Sequence, residues 1–363
     1  MNKTIILAAA AAAFTTAAYA QDMQNAKSSL ALYGILDTAV TYRTNINNNQ
    51  EWVIRSGITQ SNFGLRGVEN IGNGLKAIFL LESGLNISNG KVDDTNHSSF
   101  NREAYVGLSS NAGTLLVGRQ HGSIQDYLSP ISSTGSWGGM HFSHIKNRDF
   151  LFKSASILLD NTVKFTSRDY SGLRFGATYS FPNRESEKKT SYSAGVSYQC
   201  QDLRLAASYI KLDRKEDKDN SALNGYIYGV GTTYNLGIGR IGALWTQSFK
   251  DLPNNSLGYK RLDTYEVNAR YNLSPDLAVS ASYSYMHLTR EKGNNPSSWN
   301  QVGVQTDYML SKRTGLYAQV QYQNLNKESK STSFIYEDYD GLSKIEGMNK
   351  NNFLAAFGIR HSF

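Results

Sequence analysis

The chain has 363 residues, a formal net charge of +7, a hydrophobic fraction of 40% and a mean hydropathy of −0.43. Such a polar chain, with no second long apolar run, excludes a bundle of membrane-spanning helices. Its basic residues are scattered rather than collected in a run or stripe, so the charge does not indicate a nucleic-acid partner. Two classes remain, a soluble β-protein and a transmembrane β-barrel, in which polar lumen residues dilute the apolar signal.

The first twenty residues predict a signal peptide. A lysine at position 3 precedes the apolar run IILAAAAAAF, and the segment ends in AYA, a small-x-small cleavage site. This run is too short to cross a bilayer, although an uncleaved anchor helix is the alternative. We expect residues 1–20 to be removed and residues 21–363 to form one exported domain. Its single cysteine, Cys200, allows no internal disulfide.

Segments of nine to eleven residues with apolar groups at every second position recur along the chain. In LRFGATYSF, for example, Leu173, Phe175, Ala177 and Tyr179 alternate with small or polar residues. Period two predicts strands with two different faces, and this length suits a tilted strand that crosses a bilayer. The same pattern recurs in DTYEVNARYNL (263–273), LAVSASYSY (277–285), GLYAQVQYQ (315–323) and FLAAFGIRHSF (353–363).

The connections between these segments alternate between short turns and long polar stretches. Seven short turns and eight long stretches join sixteen strands, which is the layout of an up-and-down barrel with tight periplasmic turns and long outer loops. We therefore predict an all-β fold, a 16-stranded antiparallel transmembrane barrel. The first long stretch is NINNNQE (45–51), and the third, called loop 3, covers about 121–156. The short turns lie at 69–74, 109–113, 168–172, 198–202, 234–239, 272–276 and 310–315.

Aromatic residues near the strand ends suit the interfacial girdle of a membrane barrel, where one end of the ring is apolar and the other is wet. The alternative is the aromatic core of a soluble sandwich, but such a fold gives no reason for connections that alternate between short turns and long loops. The predicted girdle residues are Tyr33, Tyr179, Tyr198, Tyr234, Tyr271, Tyr308 and Trp245.

Six segments, taken in order, carry a resemblance to a known family. They are SLALYGILDTAV (29–40), SNFGLRGVENIGNGLKAIFLLESG (61–84), NREAYVGLSSNAGTLLVGRQ (101–120), SWGG (136–139), DNTVKF (160–165) and FGIRHSF (357–363). This order resembles the trimeric general porins of Gram-negative outer membranes, particularly the neisserial-type branch. The resemblance implies a homotrimer with water-filled pores, in which loop 3 folds inward. It also implies that Phe363 belongs to the signal read by the barrel assembly machinery.

Strand parity and the resemblance together predict a pore constriction. In the family, arginines or lysines of early strands line its wall, which points to Arg66 and Arg102. Arg102 is the strongest candidate; alternatively, it is a rim arginine paired with Glu103 or a loop carboxylate. Asn62 departs from the family pattern, since an arginine is frequent there. The predicted wall residues are Arg102, Arg66, Asn62, Lys76, Glu82, Asp37 and Lys164, and the predicted loop 3 residues are Asp126, Asp149 and Arg148.

These features predict a non-enzymatic general diffusion pore for small hydrophilic solutes and ions, surrounded by outer-membrane lipid. A weak preference for anions is expected, because loop 3 is net basic. A substrate-selective channel, a barrel enzyme and a secreted lectin are the alternatives. We expect no cofactor and no metal, since MHFSHIK offers only two loop histidines. GIGRIG (237–242) continues into a strand rather than the helix that a dinucleotide site requires.

Overall fold

The computed structural model describes residues 28–46, 49–92, 98–153, 158–182, 190–213, 225–250, 259–290, 297–326 and 351–363. The predicted signal peptide, residues 1–20, lies outside this described part of the chain. Among the described residues, no helix has the length and apolar character needed to cross a membrane.

Eighteen strands in the described chain form one antiparallel sheet. They are β1 (Ser29–Ile46), β2 (Asn49–Arg55), β3 (Asn62–Gly72), β4 (Leu75–Asn86), β5 (Lys91–Val92), β6 (Ala104–Ser110), β7 (Gly113–His121), β8 (Leu158–Ser167), β9 (Leu173–Ser180), β10 (Ser191–Cys200), β11 (Leu203–Leu212), β12 (Gly225–Asn235), β13 (Gly239–Lys250), β14 (Tyr259–Asn272), β15 (Leu277–Arg290), β16 (Ser297–Met309), β17 (Thr314–Asn326) and β18 (Asn351–Ser362).

The eighteen strands make sixteen crossings of the barrel wall. Strand β5 is a two-residue strand that pairs with the outer end of β4. Strands β2 and β3 both pair with β1, one with each half, so they are two parts of a single crossing. The predicted sixteen-stranded antiparallel barrel is therefore confirmed.

The first and last strands close the cylinder. Strand β1 pairs antiparallel with β18, and the terminal residue continues the ladder beyond β18. The Phe363 N–H donates to the Gly34 carbonyl at 3.1 Å, and the Gly34 N–H donates to the Phe363 carbonyl at 3.3 Å. Closure leaves no open sheet edge, as hydrocarbon requires, because lipid offers backbone groups no hydrogen-bond partner.

The barrel wall has an apolar outer face and a mostly polar inner face. On β18, Phe357 and Ile359 are 59% and 43% exposed, whereas Leu354 and Ala356 are buried inside. This alternation follows the predicted parity and presents large apolar groups to lipid. Five of the predicted girdle tyrosines are also exposed, namely Tyr179, Tyr198, Tyr234, Tyr271 and Tyr308.

Two-residue to five-residue turns join strands at each of the seven predicted positions. In the first, Gly72, Asn73 and Gly74 all have positive φ (110°, 51° and 77°), a conformation that glycine adopts freely and asparagine tolerates. The first outer loop differs from the prediction. Strand β1 continues to Ile46 and β2 begins at Asn49, so most of NINNNQE is strand. The longer excursion is residues 56–61, called the inward segment, which interrupts the second crossing.

Loop 3 joins β7 to β8 and lies inside the barrel. It contains π-helical turns at Ile124–Leu128 and Thr134–Gly138 and 3-10 turns at Gly139–Phe142 and Ile145–Asn147. Its apolar side chains pack on apolar residues of the inner wall, which removes both surfaces from water. This buried cluster consists of Ile124, Tyr127, Leu128, Ile131, Phe150, Leu151, Leu159, Ala206, Ile210, Leu212, Ile227 and Leu244.

Candidate functional site: the lumen and its constriction

Glutamines of β16 and β17 hold loop 3 against the lumen wall. Gln301, Gln305 and Gln319 donate side-chain hydrogen bonds to three backbone carbonyls of the loop, at 3.1, 2.9 and 2.8 Å. The ring of Phe142 covers Gly303, where a Cβ atom would lie 2.4 Å from the ring. These three loop carbonyls therefore find their hydrogen-bond partners in side chains of the barrel wall.

A buried ionic contact fixes the second half of the loop. His144 lies between Asp149 (Nδ1 to Oδ2, 2.5 Å) and Glu266 of β14 (Nε2 to Oε2, 2.8 Å). Burial lowers the pKa of His144, but Asp149 and then Glu266 outweigh burial and raise the pKa to about 10. The imidazolium therefore bridges two carboxylates at neutral pH. The Ser133 N–H donates to Glu266 at 2.6 Å, and the Thr246 hydroxyl donates to Asp149 at 3.0 Å.

The tip of loop 3 touches the inward segment. Gly139 has a φ of +68°, and a Cβ atom there would lie 1.9 Å from the Ile58 carbonyl oxygen. His141 has its Nδ1 2.6 Å from the Gln319 Oε1. Burial and nearby Arg55 lower the pKa of His141 to about 3, so this histidine is neutral. The two histidines of MHFSHIK thus bind different partners.

Asp37 anchors the inward segment. Its carboxylate accepts hydrogen bonds from the Gly57 and Thr59 N–H groups at 3.0 and 3.1 Å. It also accepts one from the Tyr317 hydroxyl at 2.6 Å. The side chain is fully buried, so this predicted wall residue binds the inward segment and does not face open water.

A cluster of early-strand residues surrounds Arg102. Its Nε pairs with Glu82, and its Nη1 donates to the Gln60 Oε1 at 2.7 Å. The Tyr33 hydroxyl donates to the other Glu82 oxygen at 2.7 Å, and the Arg66 guanidinium lies 5.2 Å from the Tyr33 ring centroid. Tyr33 therefore belongs to the lumen, and its assignment to the outer girdle was wrong. Both arginines stay partly exposed.

Two other predicted wall residues lie at different heights. Asn62 is buried beside this cluster, where its amide donates to the Gln60 carbonyl at 3.2 Å. Lys76 lies opposite Asn70, beside the first periplasmic turn. Lys76 and Glu82 are six residue steps apart on β4, which is about 20 Å along the wall.

The loop 3 carboxylates are both paired with cations. Asp126 forms an ion pair with Lys164 of β8 (Oδ2 to Nζ, 2.5 Å). The Lys164 Nζ also donates a hydrogen bond to the His121 carbonyl at 3.1 Å. Asp149 binds His144, as described above. Within the described chain, the buried Lys153 Nζ has no hydrogen-bond partner. Arg148 lies just after the last 3-10 turn of the loop and stays partly exposed.

Sequence reasoning missed Gln60 and the inward segment. Gln60 reaches Arg102 only because the second crossing breaks at 56–61 and turns into the lumen. The string SGITQS (56–61) is rich in small and polar residues, which is a weak signal for such a break.

A closed barrel with an apolar outer face, a charged lumen and an internal loop defines an outer-membrane channel protein. A family model described as Gram-negative porin matches residues 7–328. The chain therefore belongs to the Gram-negative porin family, whose place is the outer membrane.

Curated relatives extend this comparison. An outer membrane porin protein of Bordetella pertussis is 25% identical, and outer membrane porin protein 32 of Delftia acidovorans is 27% identical; both alignments cover all of both chains. Major outer membrane protein P.IB of Neisseria meningitidis is 24% identical over 93% of this chain and 95% of its own.

Solved structures show the same fold. The anion-selective porin from Comamonas acidovorans superposes with a TM-score of 0.74 at 22% identity, covering 93% of this chain and 100% of that chain. The trimer form of OmpT from Vibrio cholerae has a TM-score of 0.69 at 18% identity, covering 93% and 100%.

Proposed function

We propose that this porin is a homotrimeric general diffusion channel, rather than an enzyme, with a weak preference for anions. Small hydrophilic solutes and ions pass between the Arg102 cluster and loop 3. Outer-membrane lipid surrounds the trimer, and the barrel assembly machinery inserts the chain by reading Phe363.

The charge balance of the lumen is the observation that carries the anion preference. Asp126 and Asp149 are each paired with a cation, so loop 3 offers little free negative charge to oppose the wall. Arg66 stacks on Tyr33 and keeps its charge toward the lumen. Arg102 shares Glu82 with Tyr33, which weakens the positive field without reversing it.

The names of similar proteins agree with this proposal. One structural neighbour is described as an anion-selective porin, and another is described in a trimer form. Both likenesses are below 25% identity, so selectivity and trimer formation have to be measured on this chain.

Planar-bilayer recording tests the channel and its constriction together. Reversal potentials across a potassium chloride gradient are measured for the wild type and for Arg102→Ala. Loss of Arg102 leaves Glu82 without its guanidinium, so the anion-to-cation permeability ratio should fall about twofold to fivefold. A unit charge about 4 Å from an ion is worth about 1 kcal/mol in water, before salt screening.

Arg313→Ala is the matched control, because Arg313 is exposed in the last periplasmic turn and its removal changes the net charge equally. Its reversal potential should equal that of the wild type. A silent bilayer would refute the channel, and an unchanged ratio in Arg102→Ala would refute the constriction. Native gels of detergent-extracted protein test the trimer, which should dissociate on heating.

A further inference from the structure

Four arginines form an arc on the lumen wall near the periplasmic end, called the arginine arc. Arg174, Arg204 and Arg240 are each the second residue of a strand that follows a short turn, in β9, β11 and β13. Arg270 lies two residues before the end of β14 and directly opposite Arg240 in the sheet. Large apolar neighbours of these arginines, such as Phe175, Leu205, Ile241 and Tyr271, are exposed on the lipid side, so strand alternation directs all four arginine side chains into the lumen.

The arc brings several positive charges close together on one side of the lumen. Arg174 and Arg204 repel each other, and Arg240 is repelled by Arg270 and Arg204 and attracted more weakly by Glu266. Arg270 pairs with Asp307 at 2.5 Å. Arg240 donates to a loop 3 backbone carbonyl at 3.2 Å. Within the described chain, no carboxylate forms an ion pair with Arg204.

Tyr127 of loop 3 supplies an independent observation at one end of the arc. Its side chain lies against the wall, where two paired glycines leave room for it. A Cβ atom at Gly195 would lie 2.2 Å from the ring, and one at Gly176 would lie 2.7 Å from the hydroxyl. Gly176 is the next lumen-facing residue after Arg174, so the hydroxyl lies above the start of the arc.

The Tyr127 hydroxyl is a donor without an acceptor. The side chain is only 4% exposed, and its oxygen has no hydrogen-bond partner in the described chain. Buried hydroxyls are usually bonded, because leaving one unpaired costs about 1–3 kcal/mol. Burial raises the pKa of Tyr127, and Asp126 adds to this, so the group keeps its proton. Arg174 and Arg204 both lie close enough to interact electrostatically with the Tyr127 hydroxyl.

We propose that Arg174, Arg204 and Tyr127 form a binding site for small, multiply charged oxyanions of the phosphate type. Guanidinium groups match such anions with paired N–H donors, and the phenol adds a third donor. Arg240 extends the positive surface beside the site, whereas the charge of Arg270 is paired with Asp307. The inference rests on the proposed channel function and adds a second anion site on the periplasmic side of loop 3.

Phosphate titration of single-channel current tests the site, with inorganic phosphate as the probe in potassium chloride at pH 7.5. In the wild type, bound phosphate should reduce the chloride current along a saturating curve. The double variant Arg174→Gln/Arg204→Gln should raise the half-saturating concentration at least about a hundredfold, because it removes two charge-assisted hydrogen bonds that are each worth about tenfold or more.

Tyr127→Phe keeps the packed ring and removes only the hydroxyl. It should raise the half-saturating concentration for phosphate about fivefold. Arg313→Gln is the control for charge, and its titration curve should match that of the wild type. Heat-dependent gel mobility confirms that each variant folds.

Two results would overturn the oxyanion site. One is a chloride current that falls linearly with phosphate concentration without saturating, and the other is the same titration curve for all variants. Chloride conductance would persist in that case, and the general channel would stand. A wild-type protein that conducts no chloride would instead refute the channel itself, so the two failures are distinguishable.

Discussion

His144 lies between two buried carboxylates, and this contact makes loop 3 sensitive to alkaline pH. The folded-state pKa is about 10, above the ordinary value of about 6.5. A raised pKa means that the imidazolium stabilises the loop fully below about pH 6.5. This stabilisation declines as the pH rises and is lost above about pH 10.

We therefore expect the open-channel current noise of the wild type to increase as the pH rises from 8 to 11. His144→Gln removes the cation and should be noisy throughout this range. His141→Gln is the matched control, because His141 has a pKa of about 3 and does not titrate above neutral pH. A His144→Gln channel with the same pH profile as the wild type would contradict the ionic contact.

The contact between the loop 3 tip and the inward segment acts at the level of elements. Gly139→Ala adds a methyl group that would lie 1.9 Å from the Ile58 carbonyl oxygen, in a left-handed backbone. Gly90→Ala is the matched control, because Gly90 also has a left-handed φ (+72°) but nothing within 4 Å of the added carbon.

Both variants should lose about 1 kcal/mol from the backbone conformation alone. Gly139→Ala should lose a further 1–3 kcal/mol, about the cost of overpacking, and its single-channel conductance should fall as the tip moves into the lumen. The temperature of the heat-dependent gel shift measures the first effect, and bilayer recording measures the second. Equal gel-shift temperatures for the two variants would rule out a tight contact at the tip.

Closure of the barrel and recognition of its last residue belong to the whole molecule. The Phe363 ring lies over Gly34, where a Cβ atom would be 2.4 Å from the ring. The backbone bonds between these residues survive in Phe363→Ala, so the closed ladder should persist. The aromatic terminus, however, would be missing.

Phe363→Ala should reach the outer membrane several-fold less than the wild type, yet refold equally well in detergent, where no machinery takes part. Phe357→Ala is the control, since it trims an exposed lipid-facing ring of the same strand and keeps the terminus. Membrane fractions and refolding yields provide the two measurements. Equal membrane levels for both variants would show that Phe363 carries no assembly signal.

The barrel was predictable from sequence because its signals are local. Alternation along a strand needs only neighbouring residues, and turn residues such as Asn73 between two glycines need only a tight reversal. Sixteen crossings, the seven short turns and the lipid-facing parity of β18 follow from such patterns. The lumen-facing position of Arg102 was predicted in the same way. Its role in the constriction stays a prediction until ion selectivity is measured.

Only the tertiary structure decided which charges meet. Ser133 and Glu266 are bonded across 133 residues, and His144 reaches Glu266 across 122. Arg102 pairs with Glu82 of a neighbouring strand, whereas the alternative considered from the sequence paired it with Glu103 or a loop carboxylate. Such contacts depend on strand register and on the path of loop 3 through the lumen. No local pattern encodes either one, because both arise only when the cylinder closes and distant strands share one interior.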